Sequence, residues 1–185
     1  MRRNWSQDKY ILAYRFAADA HNNQKFPGTE WPYIVHISMV CMEVLGALAE
    51  EPTTDGDLAV QCALLHDTLE DTDTTYESLK EWFGESVADG VRALTKDPSL
   101  PREERMEDSL RRISQQPSEV GMVKLADRIT NLQPPPDDWT DAKKRSYLDQ
   151  AREIHNALQH TSPYLSRRLT EKMTSYEGLI EPSRK

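Results

Sequence analysis

The stretch Ala63–Thr72, ALLHDTLEDT, changes character halfway. Ala63, Leu64 and Leu65 close an apolar run, and His66, Asp67, Glu70 and Asp71 then place one imidazole and three carboxylates within a few positions. The run from Leu58 to about Thr68 predicts a helix that is apolar nearly all round and therefore central. If that helix continues, His66 with Glu70 and Asp67 with Asp71 are one-turn neighbours on one side. Carboxylates at the end of a buried helix must be paired, protonated or bound to a metal. A metal resolves the conflict most simply.

Outward from this stretch the chain reads as helices. Gly is scarce, at seven residues, and no segment alternates with the period of a strand. Ser6 caps a first helix running to about Asn22, and HNNQKFPGTEWP is a loop broken by Pro27-Gly28 and Pro32. The second helix starts near Tyr33, with Ile37, Val40, Cys41, Val44, Leu45 and Leu48 as its core face. EEPTTDGD connects it to the central helix. Thr74 with Glu77 suggests a capping box for TYESLKEWF, and Gly84 suits its C-terminal end. Further helices are expected at about Ser86–Leu94, Arg102–Gln115 and Ser118–Leu132. After the Pro134-Pro135-Pro136 break come two more, over roughly Thr140–Gln159 and Pro163–Leu179, the last with Ser162 as its cap. The expected fold class is all-α, a compact bundle of about eight helices in a single domain over 1–185, its core at about 6–133 and a C-terminal helical pair at about 140–180.

With 31 acidic and 23 basic residues the formal charge is −8, which disfavours nucleic acid as a partner and leaves a small anionic substrate open, because a metal or a few local cations reverse the field inside one pocket. Cys41 and Cys62 lie in apolar helical patterns without a C-x-x-C spacing and read as reduced core residues. No apolar signal core or membrane-spanning stretch is present, so no membrane partner is expected and cytoplasmic residence is the default. The oligomeric state is not legible.

A histidine and an aspartate do not fill a coordination sphere, and two other positions fit. His36 lies near the start of the second helix beside its apolar face. Asp127 lies in MVKLADRITNL, where Met122, Leu125, Ile129 and Leu132 make a core face and Lys124, Asp127, Arg128 and Asn131 fall on another side. Taken singly, His36 reads more often as a satisfied histidine near a helix end than as a ligand, and Asp127 more often as an ion-pair partner of Lys124 or Arg128.

The joint pattern H…HD…D, with the HD ending an apolar helix, resembles the signature of the HD-domain metal phosphohydrolases. ALLHDTLEDT, MVKLADRITNL and AHNNQ…PYIVHISMV are similar, in order and separation, to three segments of the Rel/SpoT alarmone hydrolases, across roughly Tyr10–Leu132. TYESLKEWFGESVADGVRALTK resembles the region between them. With about fifty residues after Leu132 there is no room for that family's synthetase domain, so the chain looks like the small stand-alone type of the metazoan SpoT homologue.

The resemblance implies that His36, His66, Asp67 and Asp127 bind one divalent metal, usually Mn2+, and that Glu70 and Asp71 are the catalytic acidic pair acting on the attacking water. It implies hydrolysis of the 3′-pyrophosphate of guanosine tetra- and pentaphosphate, releasing pyrophosphate and GDP or GTP. Substrate contacts are expected from Lys25, Asn131, Arg128 and Tyr147. After Gln24 the family commonly carries two or three basic residues, whereas here only Lys25 is basic, and Phe26 reads either as a stacking platform for a base or as a loop anchor. That departure opens an alternative, an HD-fold enzyme acting on adenine alarmones or another 3′- or 2′-phosphorylated nucleotide. A non-catalytic alarmone-binding domain is the third reading. The charged segment holding Arg102, Arg105, Arg111 and Arg112 reads as a solvated helix face from which one or two arginines could reach the pyrophosphate.

Overall fold

The computed structural model describes residues 4–51, 55–136 and 138–180. Ten α-helices occur in that range: α1 Gln7–Ala20, α2 Ile34–Glu50, α3 Gly56–Leu65, α4 Thr68–Asp71, α5 Tyr76–Phe83, α6 Glu85–Leu94, α7 Arg105–Ile113, α8 Ser118–Asn131, α9 Asp141–Leu158 and α10 Pro163–Glu177. No strand is present among the described residues. No helix among them is long and apolar enough to cross a membrane.

Side-chain caps set most helix starts. Ser6, Asp55, Thr140 and Ser162 accept from the backbone N–H three residues on, at the starts of α1, α3, α9 and α10. The cap of α5 is Thr75 rather than Thr74, and its hydroxyl accepts from Ser78 N. Thr74 instead accepts from the Thr72 hydroxyl. Gly84 closes α5 at φ 86°, a conformation that favours glycine, and lets α6 start at once. The charged helix begins at Arg105 rather than Arg102. Pro52, Thr53 and Thr54 of the EEPTTDGD connection lie outside the described residues.

The expected central helix is split in two. Its α-helical run stops at Leu65, and a turn at His66–Asp67 precedes the single turn of α4. The cause is local competition for carbonyls. His66 Nδ1 is 2.9 Å from Ala63 O, and the Thr68 hydroxyl donates to Leu65 O at 2.7 Å. These side chains occupy acceptors that a continuing helix would fill with backbone N–H groups. Asp67, at φ −101° and ψ −2°, sits where the chain redirects.

α2, α3 and α8 pack on one another and form the middle of the molecule. Leu58–Leu65 of α3 and Glu119–Thr130 of α8 are buried throughout. The polar face expected for α8 is therefore inside: Lys124, Asp127 and Asn131 line a pocket shared with α2 and the end of α3, and Arg128 lies over Tyr147 of α9. Leu148, Ala151, Ile154 and Leu158 of α9 and Leu165 and Leu169 of α10 join the same apolar cluster. Cys41 and Cys62 are free and buried, and burial pushes the Cys41 thiol up to about 12.

α6 approaches α3 and α8 at Gly90, where an added Cβ would lie 2.7 Å from Cys62 Sγ and 3.1 Å from Val120 Cγ2. Overpacking a filled core costs about 1–3 kcal/mol, so Gly90→Val is expected to lower the urea midpoint by a corresponding amount. An unchanged midpoint would show that α6 does not pack this closely.

Candidate active site

Three central helices deliver the chemistry to one point. α2 carries His36 in its first turn, the end of α3 carries His66 and Asp67, and α8 carries Asp127. Donor atoms of His36, His66 and Asp67 lie within 4.8 Å of one another. Asp67 Oδ2 is 3.5 Å from His36 Nε2 and 2.9 Å from His66 Nε2. Asp127 Oδ1 completes the group at 3.6 Å from His36 Nε2 and 3.9 Å from His66 Nε2.

Neighbouring groups aim these donors. With Nδ1–H committed to Ala63 O, the neutral His66 ring presents its lone pair at Nε2, which is buried, lies 2.9 Å from Asp67 Oδ2 and makes no well-formed hydrogen bond. The Tyr33 hydroxyl donates to Asp67 Oδ2 at 2.7 Å. Asn131 Nδ2 donates to Asp127 Oδ1, and Lys124 Nζ is 3.3 Å from Asp127 Oδ2. The His36 ring stacks on Phe26, with centroids 5.5 Å apart and planes 9° apart.

The cluster draws positive charge. Burial alone would lower the His66 imidazole, but the Asp67 carboxylate beside it and Asp127 beyond outweigh burial and push it up to about 9. Burial alone would raise the Asp67 carboxyl, but His66 and His36 hold it well below the usual carboxylate range. Two imidazoles and two carboxylates, with an orphaned Nε2 and no thiolate, fit a divalent cation taking nitrogen and oxygen donors.

Glu70 and Asp71 open onto the same polar pocket. Asp71 Oδ2 accepts from Gln24 Nε2 at 3.3 Å, and Gln24 Oε1 is 2.7 Å from His21 Nδ1. The AHNNQ segment thus orients an acid from the far side of the site. Burial, then the charge of Asp67, hold the Asp71 carboxyl above its ordinary value. Both oxygens of Glu70 are taken by Lys96: Oε1 by its ammonium at 2.8 Å and Oε2 by its backbone N–H at 3.1 Å.

The HD domain family model matches residues 13–162, most of the chain and every residue of this cluster. The chain belongs to the HD domain family. Hydrolases of that family are metal-dependent, and the clustered histidines and aspartate of this HD domain are placed to bind a metal. The zebrafish guanosine-3′,5′-bis(diphosphate) 3′-pyrophosphohydrolase MESH1 is 34% identical over 161 residues, covering 84% of this chain and 87% of that protein. A guanosine-3′,5′-bis(diphosphate) 3′-pyrophosphohydrolase of Aquifex aeolicus is 36% identical over 153 residues, covering 80% of this chain but 20% of that longer protein. Among solved structures, a metazoan ortholog of SpoT described as hydrolysing ppGpp superposes with a TM-score of 0.80 at 29% identity, covering 95% of this chain and 98% of the other.

The expected substrate contacts divide. Asn131 lines the HD-domain pocket, with its amide spent on Asp127. Lys25, Arg128 and Tyr147 are not among the lining residues. Lys25 is held in its own loop, its ammonium donating to Glu30 O at 2.9 Å and to Glu30 Oε2 at 3.1 Å. Phe26 stacks one face of its ring on His36. Arg128 is buried with its guanidinium 4.4 Å from the Tyr147 ring centroid, and Tyr147 packs edge-on against Trp139. Neither Arg111 nor Arg112 lines the pocket, and Arg111 pairs with Asp108 at 2.5 Å.

Three polar residues lining the site carry no role in the sequence reading: Tyr33, Lys96 and, as a pocket group, Lys124. Tyr33 was findable, since it stands one turn before His36 at the helix start and so faces the same side. Lys124 was visible as a neighbour of Asp127. Lys96 has no local signal, because its partner is 26 residues away.

Proposed function

We propose that this protein is a metal-dependent hydrolase that removes the 3′-pyrophosphate of (p)ppGpp-like nucleotides, releasing pyrophosphate and GDP or GTP. The observation that carries this reading is the joint placement of a two-histidine, two-aspartate cluster and the Glu70–Asp71 pair on one pocket. The relatives that align over most of the chain bear the name of that activity.

His36, His66, Asp67 and Asp127 would hold the ion, which we assign as Mn2+. When bound, a divalent ion supplies Lewis acidity and lowers the pKa of an attacking water. Glu70 and Asp71, one turn beyond Asp67, orient that water and accept its proton. Lys124 lines the pocket and offsets phosphate charge, which gives an anionic substrate a local welcome on a protein of net charge −8. Asn131 lines the pocket wall, and we assign it to the nucleoside.

One observation favours a second reading of the base. Lys25, the basic residue that follows Gln24, pairs with Glu30, and Phe26 stacks on His36, so the cation and the ring of this loop already have protein partners. An adenine alarmone is then a competing substrate of the same chemistry. Hydrolysis of ppGpp, pppGpp and ppApp side by side, with Mn2+ and with chelator, tests both readings. Release of pyrophosphate from ppGpp that stops on chelation and returns with Mn2+ is the expected result. Cleavage of ppApp alone would move the assignment to the second reading, and no cleavage of any of the three would end the first.

A further inference from the structure

Glu70 sits on α4, a helix of one turn, which by itself fixes a long side chain poorly. Its carboxylate is nevertheless held at both oxygens by one residue, Lys96, just beyond the C-terminus of α6. The N–H of Lys96 and the C=O of Thr95 belong to one planar trans peptide, so they point in opposite directions. That C=O accepts from Arg112 Nη2 at 2.7 Å. Arg112 Nη1 also takes Arg92 O at 2.6 Å and Ala93 O at 3.0 Å, and Nε is fixed by Asp108 at 2.7 Å. One guanidinium therefore gathers the carbonyls at the end of α6 that the helix leaves unpaired, and in doing so sets the plane of the peptide that binds Glu70.

We propose that Lys96, and Arg112 acting through the Thr95–Lys96 peptide, are positioning residues that hold Glu70 in its working orientation. The charged helix α7, whose arginines do not line the pocket, thereby acquires a task in the reaction. A carboxylate has lone pairs to spare after two such bonds, so Glu70 stays open to a water on the pocket side. Lys96 is suited to this as a partly exposed ammonium (39%) against a less exposed carboxylate (29%), close enough to hold and open enough to fold without it.

The inference rests on the hydrolase reading, and the experiment separates the two. Lys96→Met and Arg112→Gln are made in the full Mn2+-loaded protein, alone and on a Glu70→Gln background. Losing an outer partner of a site typically costs 10–100-fold, so Lys96→Met is expected to lower kcat on ppGpp by roughly that range, and Arg112→Gln by roughly tenfold. KM and Mn2+ affinity stay within about twofold, and Lys96→Arg recovers most of the rate. On the Glu70→Gln background neither change lowers the rate further, since residues acting as one unit are not additive. A raised KM, or the same loss on both backgrounds, would overturn the proposal and make Lys96 a phosphate contact. If the wild type cleaves no alarmone, the hydrolase reading fails and the relay is decided without substrate. In the Mg2+-loaded protein the Lys96 amide proton is expected downfield and to move upfield in both Glu70→Gln and Arg112→Gln. A resonance that Arg112→Gln leaves in place refutes the relay.

Discussion

His66→Ala is expected to abolish Mn2+ binding at concentrations that saturate the wild type and to slow ppGpp hydrolysis by at least about 10³-fold. His66 faces both carboxylates, with Nε2 2.9 Å from Asp67 Oδ2 and 3.9 Å from Asp127 Oδ1. No other nitrogen among the described residues replaces it, since the remaining imidazole of the cluster, His36, already serves the same two oxygens. Removing the ring also leaves Ala63 O without its side-chain partner and a void at the end of α3. Those losses cost on the order of 1–3 kcal/mol, short of the stability of an ordinary domain, so the variant folds. Metal content by elemental analysis and affinity by calorimetry give the result, with circular dichroism as the fold control. A variant that kept one Mn2+ per chain at unchanged affinity would remove His66 from the ligand set and the cluster from the proposed mechanism.

What was legible in the sequence follows from how local each signal is. His66, Asp67, Glu70 and Asp71 lie on consecutive turns, so ALLHDTLEDT could announce them together. His36 and Asp127 were placed by joint pattern, and the packing of α2 and α8 against α3 brings both to His66 and Asp67. The break after Leu65 was not legible, because it depends on which carbonyls His66 and Thr68 capture. Nor was the inside position of Lys124 and Arg128, because their helical face looks polar until the pocket closes on Lys124 and Tyr147 of α9 packs on Arg128. The pairing of Lys96 with Glu70 and of Arg112 with the end of α6 is long-range in sequence, and a charged stretch rich in both signs gives no hint which partner each arginine takes. The loop QKFPG illustrates the reverse. Its residue types suggested substrate contact, and the partners that Glu30 and His36 give to Lys25 and Phe26 were not legible.

Glu70→Gln separates metal binding from catalysis. The side chain touches no donor atom of the cluster by any hydrogen bond, and its two oxygens are spent on Lys96. The amide keeps the shape and one acceptor, so one of the two Lys96 donors retains its partner while the other faces an NH₂ group. The site is partly open to water, so the mismatch costs about 1 kcal/mol of stability and leaves the four proposed ligands in place. The amide, however, neither accepts a proton nor carries the charge that orients a water. Loss of a positioned base typically removes about 10²–10⁴ in rate, and kcat is expected to fall by that range while KM and Mn2+ affinity hold. Asp71→Asn is the natural companion, since Gln24 supports that carboxyl independently of Lys96. If Glu70 alone serves as proton acceptor, Asp71→Asn loses less than Glu70→Gln. If the two act as one unit, each single variant falls as far as the double, because removing either half disables the whole. A Glu70→Gln protein turning over at the wild-type rate would assign the work on the water to Asp71 and leave Lys96 with only a structural partner.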